Sequence, residues 1–414
     1  MRKKTRVIIT IVLSIIELVF IYIVLNVIQT LISKEIVEFY KLIAYITPAP
    51  ILYLGNYYFF APLIYKIGIK LWHLLFYRKY LSKKYNEIIN KSINWLISIN
   101  TKWGPNIFSN EKQNANTCEV LISLRKTGLY KEKKQIYKDA LSEILNNSTD
   151  RGLASKSLNM STVVCTSMML YLLSYEQKDS VCSISDYCKY DTIYDLLWRI
   201  RCKNGWGVYM EETTNDNCSL ANTFWALTAL INYKSSIISI DEILGYLKSI
   251  YEYSVDGKFG FFVGDKPNLV TTSMYLILYY RLNPKERKQL STIYDYKKAI
   301  DYVFELFIKK GIQCETETLI GIDRLKTGAK KAPWNHISAG FAIEALILAY
   351  KSKDLRTSKA NTVFKRIDSI LKDNTVLDNN TNTCYYMPEG LSCRQGNVFT
   401  FPTTYLVNGL NSIN

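Results

Sequence analysis

NGWGVYMEETTNDNCSLANTFWALTALINY, residues Asn204–Tyr233, decides the fold. Its first half, Gly205–Trp206–Gly207, makes a tight aromatic turn, because glycine tolerates the positive φ such turns need. After a polar link, Asn222 and Thr223 precede an apolar run from Phe224 to Leu230. Thr223 is the expected N-cap, its hydroxyl accepting from an unpaired amide of the first turn. Ala226, Ala229 and Leu230 stand at helical spacing with few polar positions between them. A helix apolar on most sides is buried.

The pattern recurs. KWGP (Lys102–Pro105) precedes NTCEVLISLRKTG (Asn116–Gly128), and DRG (Asp150–Gly152) precedes STVVCTSMMLYLLSY from Ser161. DGKFGFF (Asp256–Phe262) precedes TTSMYLILYY from Thr271. PWNHISAGFAIEALILAY runs from Pro333, and FPTTYLVNGL closes the chain from Phe401. These are about six degenerate copies, each a loop followed by a buried helix, and such units bury their apolar faces only by stacking on neighbours. Amphipathic segments between them, such as Asp241–Tyr251 and Lys297–Lys309, read as partner helices.

The arrangement resembles the α/α-toroid superfamily of terpenoid cyclases, squalene cyclases and protein prenyltransferases. WLISINTKWGP (Trp95–Pro105), the Gly205–Gly207 turn and the threonine-led helices at Thr117, Thr223, Thr272 and Thr403 carry the resemblance, over about residues 88–414. It implies a ring of helix pairs around an interior. The Asp-x-Asp-Asp acid of class II cyclases would fall at Leu220–Thr223, which reads LANT, and the aspartate-rich diphosphate motif of class I enzymes is absent. The prenyltransferase resemblance raises a zinc site. No Asp-x-Cys heads a buried helix, and the chain's two histidines are His73 and His336. A set of His336, Cys384 and Cys393 is one arrangement; cysteines acting as small buried hydrophobes is the other, and it is preferred. No metal or cofactor is expected. Toroid repeats without the catalytic aspartates resemble those fused to bacterial signalling and defence proteins, which implies a sensor or effector role.

The acids near buried-helix starts are Glu119, Asp216, Asp265 and Glu344. Glu119 and Glu344 fall inside apolar runs, where desolvation would raise a carboxyl pKa and suit a general acid. The alternative is a carboxylate at a cavity mouth, or one paired with Arg125 or a lysine. Glu119, Glu344 and Asp216 are therefore the candidate catalytic groups. Trp225, Trp334 and His336 are the candidate cavity residues, since aromatic walls stabilise cations or hold apolar chains. Trp103 and Trp206 read instead as structural fastenings.

The net charge is +16, but twelve of the 52 Lys/Arg and three of the 36 Asp/Glu lie in residues 2–84. The basicity is thus concentrated at the N-terminal end and lacks a nucleic-acid recognition motif, so no nucleic-acid partner is expected. Val7–Ile32 carries a single charge, Glu17, and is longer than the roughly 20 residues that cross a bilayer. Leu42–Tyr65 is a second uncharged span, interrupted by Pro48, Pro50 and Pro62; a re-entrant segment is the alternative there. Flanking MRKKTR and YRKYLSKK place both ends on the cytoplasmic side. KIGIKLWHLLFY (Lys66–Tyr77) reads as an interfacial helix or as the snorkelling end of the second span. Glu17, near mid-bilayer, marks a pore, gate or oligomer contact, or else is a polar residue packed within the hairpin.

Phosphate-loop, dinucleotide, nucleophile-elbow and HExxH motifs are all missing from the sequence. The expectation is an all-α protein with a membrane hairpin and interfacial helix over residues 1–84 and an (α/α)6 toroid over 85–414. Its partners are the lipid bilayer, a hydrophobic or peptide ligand and a homo-oligomeric copy. Its location is the cell membrane, multi-pass, with the large domain cytoplasmic. The competing function is a membrane-bound cyclase or prenyltransferase-like enzyme taking a polyprenyl substrate.

Overall fold

The structure, a computed structural model, describes residues 78–100, 103–104, 112–156, 160–179, 187–211, 218–320, 331–391 and 398–414, with positions 8, 10–13, 15–16 and 58 before them. The chain divides into two compact units, Met1–Lys83 and Lys84–Asn414. Both expected spans, Glu17 and the interfacial helix fall wholly or almost wholly outside the described residues. Among the described residues no helix is long and apolar enough to cross a membrane.

Among the described residues from Arg78 onward, thirteen α-helices account for most of the chain. They are α1 (Arg78–Ser98), α2 (Asn114–Thr127), α3 (Lys134–Asn146), α4 (Val163–Asp179), α5 (Tyr187–Arg199), α6 (Leu220–Asn232) and α7 (Ile240–Tyr251). After them come α8 (Leu269–Arg281), α9 (Pro284–Leu290), α10 (Tyr296–Phe304), α11 (Ser338–Lys351), α12 (Thr357–Asn374) and α13 (Phe401–Asn411). α2, α4, α6, α8, α11 and α13 are buried over most of their length. Each packs on the next in chain order, and α13 packs back on α2, so the six close a ring. Of the amphipathic helices, α3, α7 and α12 lie against α2, α6 and α11, while α5 lies against both α4 and α6 and α10 against both α8 and α11. They bury one face, as α7 does with Ile243, Leu247, Ile250 and Tyr251. The expected toroid of helix pairs is what forms.

The joint between turn and inner helix differs from the expected cap. Ser219, not Thr223, caps α6, its hydroxyl accepting from the amides of Ala221 and Asn222. Thr223 lies one turn further in. Its Oγ1 donates to the Ser219 carbonyl at 2.8 Å and accepts from the Trp206 amide at 3.0 Å. The same bond recurs from Leu153 to Thr166 (3.0 Å), Phe259 to Thr272 (3.1 Å) and Tyr386 to Thr403 (3.0 Å). The repeated threonine therefore ties the turn to its inner helix at α4, α6, α8 and α13. Gly205 is required because at φ +128° a Cβ would lie 1.9 Å from Thr223 Oγ1. Replacing Thr223 with the isosteric valine strands a buried amide and should cost about 1–3 kcal/mol, read by urea denaturation. Trp103 and Trp206 are fastenings: both are fully buried, and their indole N–H groups donate to Leu96 and Leu197 at 2.7 Å.

The all-α expectation needs one correction. Three small antiparallel sheets decorate the ring: β1–β2–β3 (Ser148–Thr149, Gly152–Ser155, Met160–Ser161), β4–β5 (Glu315–Ile320, Lys331–His336) and β6–β7 (Thr375–Asp378, Thr383–Tyr386). PWNH is thus a strand, β5, paired residue for residue with β4. Thr316 and Thr318 are exposed, whereas Glu317 is buried, which is the period-2 alternation of a strand with one face down.

Candidate functional site at the mouths of the ring

Counting from the four docked threonines, and from Thr117 at the corresponding place in α2, sets the level of each side chain along the ring. Two residues on stand Glu119, Met168, Trp225, Met274 and Tyr405. Five on stand Ile122, Tyr171, Thr228, Ile277 and Asn408; nine on, Lys126, Tyr175, Asn232 and Arg281. The interior is therefore layered, from an aromatic floor near the helix N-termini to a charged cluster near their C-termini.

The floor is built from Phe224, Trp225, Phe341 and Tyr405. Ring centroids lie 5.9 Å apart for Phe224–Phe341, 4.9 Å for Phe341–Tyr405 and 6.5 Å for Trp225–Tyr405. Glu119 joins it: the Tyr405 hydroxyl donates to one carboxylate oxygen at 2.9 Å and Asn116 to the other at 3.1 Å. Burial pushes the Glu119 carboxyl up to about 7, against these two hydrogen bonds, which act to lower it. Since its folded pKa lies above the unfolded value, Glu119 favours folding fully only below about pH 4.5. That contribution is lost as pH rises to about 7. Glu119→Gln keeps the shape and removes the charge, so it should stabilise the protein at pH 8 by up to about 3 kcal/mol. The mutant's advantage should vanish near pH 4, as thermal melts across this range would read.

Glu344 departs from the expectation of a raised carboxyl. Burial acts to raise it, but Lys126 and Arg281 together hold it below the ordinary value. Arg281 is bonded to one oxygen, and Lys126 Nζ stands 3.6 Å from the other. A carboxylate so paired is no general acid. Arg125 does not pair with Glu119. It is buried with Glu176 and the Tyr137 hydroxyl, which donates to Glu176 at 2.6 Å.

The N-terminal mouth carries a group of residues that sequence reasoning missed. Both oxygens of Glu315 accept from the start of α8, from Leu269 N at 3.0 Å and Val270 N at 2.7 Å, and Ser338 donates to one of them. Glu317 accepts from the Ser219 hydroxyl and lies 2.8 Å from His336 Nε2. The strand thus sets two carboxylates on the starts of α8 and α6, where helix N-termini favour negative charge. His336 stacks on Phe261 with centroids 5.4 Å apart, and Trp334 lies 6.3 Å from His336. The alternation in ETET (Glu315–Thr318) was the available signal for this strand. Asp216 lies outside the described residues.

His336, with its partner Glu317, stands apart from Cys384, whose Sγ lies 3.4 Å from Ser92 Oγ on α1; Cys393 lies outside the described residues. Among the described residues no group of His, Cys, Asp and Glu is placed to hold a metal ion.

All six inner helices line the axial pocket, through Ile122, Lys126, Tyr171, Trp225, Arg281 and Asn408 among others. It has a cavity of only about 20 Å³. That is room for about one water molecule, against the 300–1,000 Å³ of sites that enclose drug-sized ligands.

No protein-family model matches the chain, and no curated protein matches it significantly. Among solved structures, a family 105 glycoside hydrolase from C. acetobutylicum ATCC 824 is similar, with 11% identity, 79% of this chain and 98% of that chain covered, and a TM-score of 0.47. A likeness this distant assigns no activity to this chain.

Proposed function

We propose that the chain is a membrane-tethered recognition toroid, binding a hydrophobic group or peptide at the N-terminal mouth of its ring and acting as a sensor or effector in bacterial signalling or phage defence. The observation that carries this reading is that, among the described residues, the axial pocket holds only about 20 Å³, too little to fold a polyprenyl chain around an acid. Recognition then falls to the face of the ring. There the partly exposed Trp225, Tyr405, Trp334 and His336 offer flat aromatic contact, with the buried Glu119 behind Tyr405. The apolar N-terminal spans supply the tether, and Glu17, the single charge within the first, supplies a contact through which copies associate.

Glu119 keeps the cyclase-like reading in play, because a carboxyl poised near 7 beside aromatic rings suits a proton donor. The two are separated by incubating detergent-solubilised full chain with farnesyl diphosphate, geranylgeranyl diphosphate and squalene, with products followed by mass spectrometry. The recognition reading expects substrate returned unchanged. Turnover that Glu119→Gln abolishes would replace it with the enzyme.

A further inference from the structure

We propose that the axial pocket at the C-terminal end of the inner ring is a binding site for one small monovalent anion of chloride size. Its aromatic wall, Trp225 and Tyr405 among it, is shared with the N-terminal floor, but its charged and hydroxyl lining is not, and the proposal does not rest on the ligand reading given above. Lys126 and Arg281 enter the pocket from α2 and α8, and Glu344 from α11 is its sole carboxylate among the lining residues. Arg281 is bonded to one oxygen of Glu344 and Lys126 stands 3.6 Å from the other, so the three groups carry a net positive charge that water reaches only in part, the two cations being 26% and 16% exposed. Burial acts to push the neighbouring Tyr171 phenol up, while Arg281, Lys126 and the hydrogen bond to Tyr175 act to bring it down.

A second observation is independent of charge. Thr228 is 1% exposed, lines the same pocket, and its Oγ1 has no hydrogen-bond partner. The Asn408 Oδ1 beside it is likewise unpartnered. The two amide positions of an asparagine are assigned from the surrounding network, so turning it presents its N–H to the pocket. Unmade hydrogen bonds in a buried site are costly. The sign of Lys126 and Arg281 has a structural explanation, since each ends an inner helix whose C-terminus carries partial negative charge. That explanation leaves the Thr228 hydroxyl idle. A water would occupy the hydroxyl but leave the charge. A monovalent anion answers both, and a cavity of about 20 Å³ excludes sulfate or phosphate.

The test has two parts, both on the full chain in detergent. Crystals grown in sodium bromide should show one anomalous peak within contact of Lys126, Arg281 and Thr228. Thermal unfolding at constant ionic strength, as chloride replaces gluconate, should show a saturable rise of roughly 2–4 °C that sulfate does not reproduce. Thr228→Val, which keeps the packing volume, should remove that rise. A pocket without anomalous signal, or a melting temperature indifferent to which anion is present, would overturn the proposal in favour of a single bound water.

Discussion

Replacing Arg125 by methionine is expected to cost about 3–5 kcal/mol, because it removes the guanidinium paired with the buried carboxylate of Glu176. The side chains of Arg125 and Glu176 are 1% and 0% exposed, so water cannot compensate the loss. The guanidinium also donates to the Tyr137 hydroxyl at 2.9 Å and lies over the Tyr130 ring at 3.9 Å. It therefore joins α2, α3 and α4 through one group. Urea denaturation of the single mutant should show the full cost. The double replacement Arg125→Met with Glu176→Leu should recover most of it, since a pair removed together leaves no orphaned charge. A double mutant as unstable as the sum of the two single changes would mean that the cluster matters through packing alone.

Placing a leucine at Gly340 should be comparably damaging, for a steric reason. α11 and α13 cross where two glycines meet. A Cβ on Gly340 would lie 2.5 Å from the Tyr405 carbonyl oxygen, and one on Gly409 would lie 2.6 Å from that of Gly340. Both obstacles are backbone, so the helices must part. Even Gly340→Ala should lose stability, although alanine gains about 1 kcal/mol of helix propensity over glycine. Overpacking a tight contact costs about 1–3 kcal/mol and more where nothing can shift. Gly340→Leu should exceed that range, and because α11–α13 is one of the six contacts that close the ring, the loss should appear as reduced protection of both helices in amide exchange.

The ring was legible in the sequence because its units repeat a coarse pattern: a glycine-aromatic turn, then a helix apolar on all sides. Helix burial leaves a composition signal that survives divergence. The joint between the two parts was read one turn too late, since Ser219 and Thr223 are both capable caps and only the position of the Trp206 amide separates them. The strand at Lys331–His336 was hidden because its pairing partner, Glu315–Ile320, stands 11 or more residues upstream across an intervening segment. Glu119 was found as a buried carboxyl on an apolar face, and its environment matches that reading. Glu344 sits in the same kind of sequence, GFAIEAL, yet is paired. The cations that pair it come from α2 and α8, and no local window contains them. The filling of the interior was likewise not legible. It depends on which way Phe224, Trp225, Phe341 and Tyr405 turn, and on how closely Gly340 and Gly409 let the helices approach.

Every functional statement above depends on a ring without free ends. Native-state hydrogen exchange on the full chain reads this directly, residue by residue. In a closed ring the last inner helix, Phe401–Asn411, is held on both sides by Asn114–Thr127 and Ser338–Lys351. Its amides should then exchange with the same opening free energy as those of Leu220–Asn232, halfway round. If the residues from Phe401 onward exchange well before Leu220–Asn232, the array has an open, fraying end and the closed toroid is wrong.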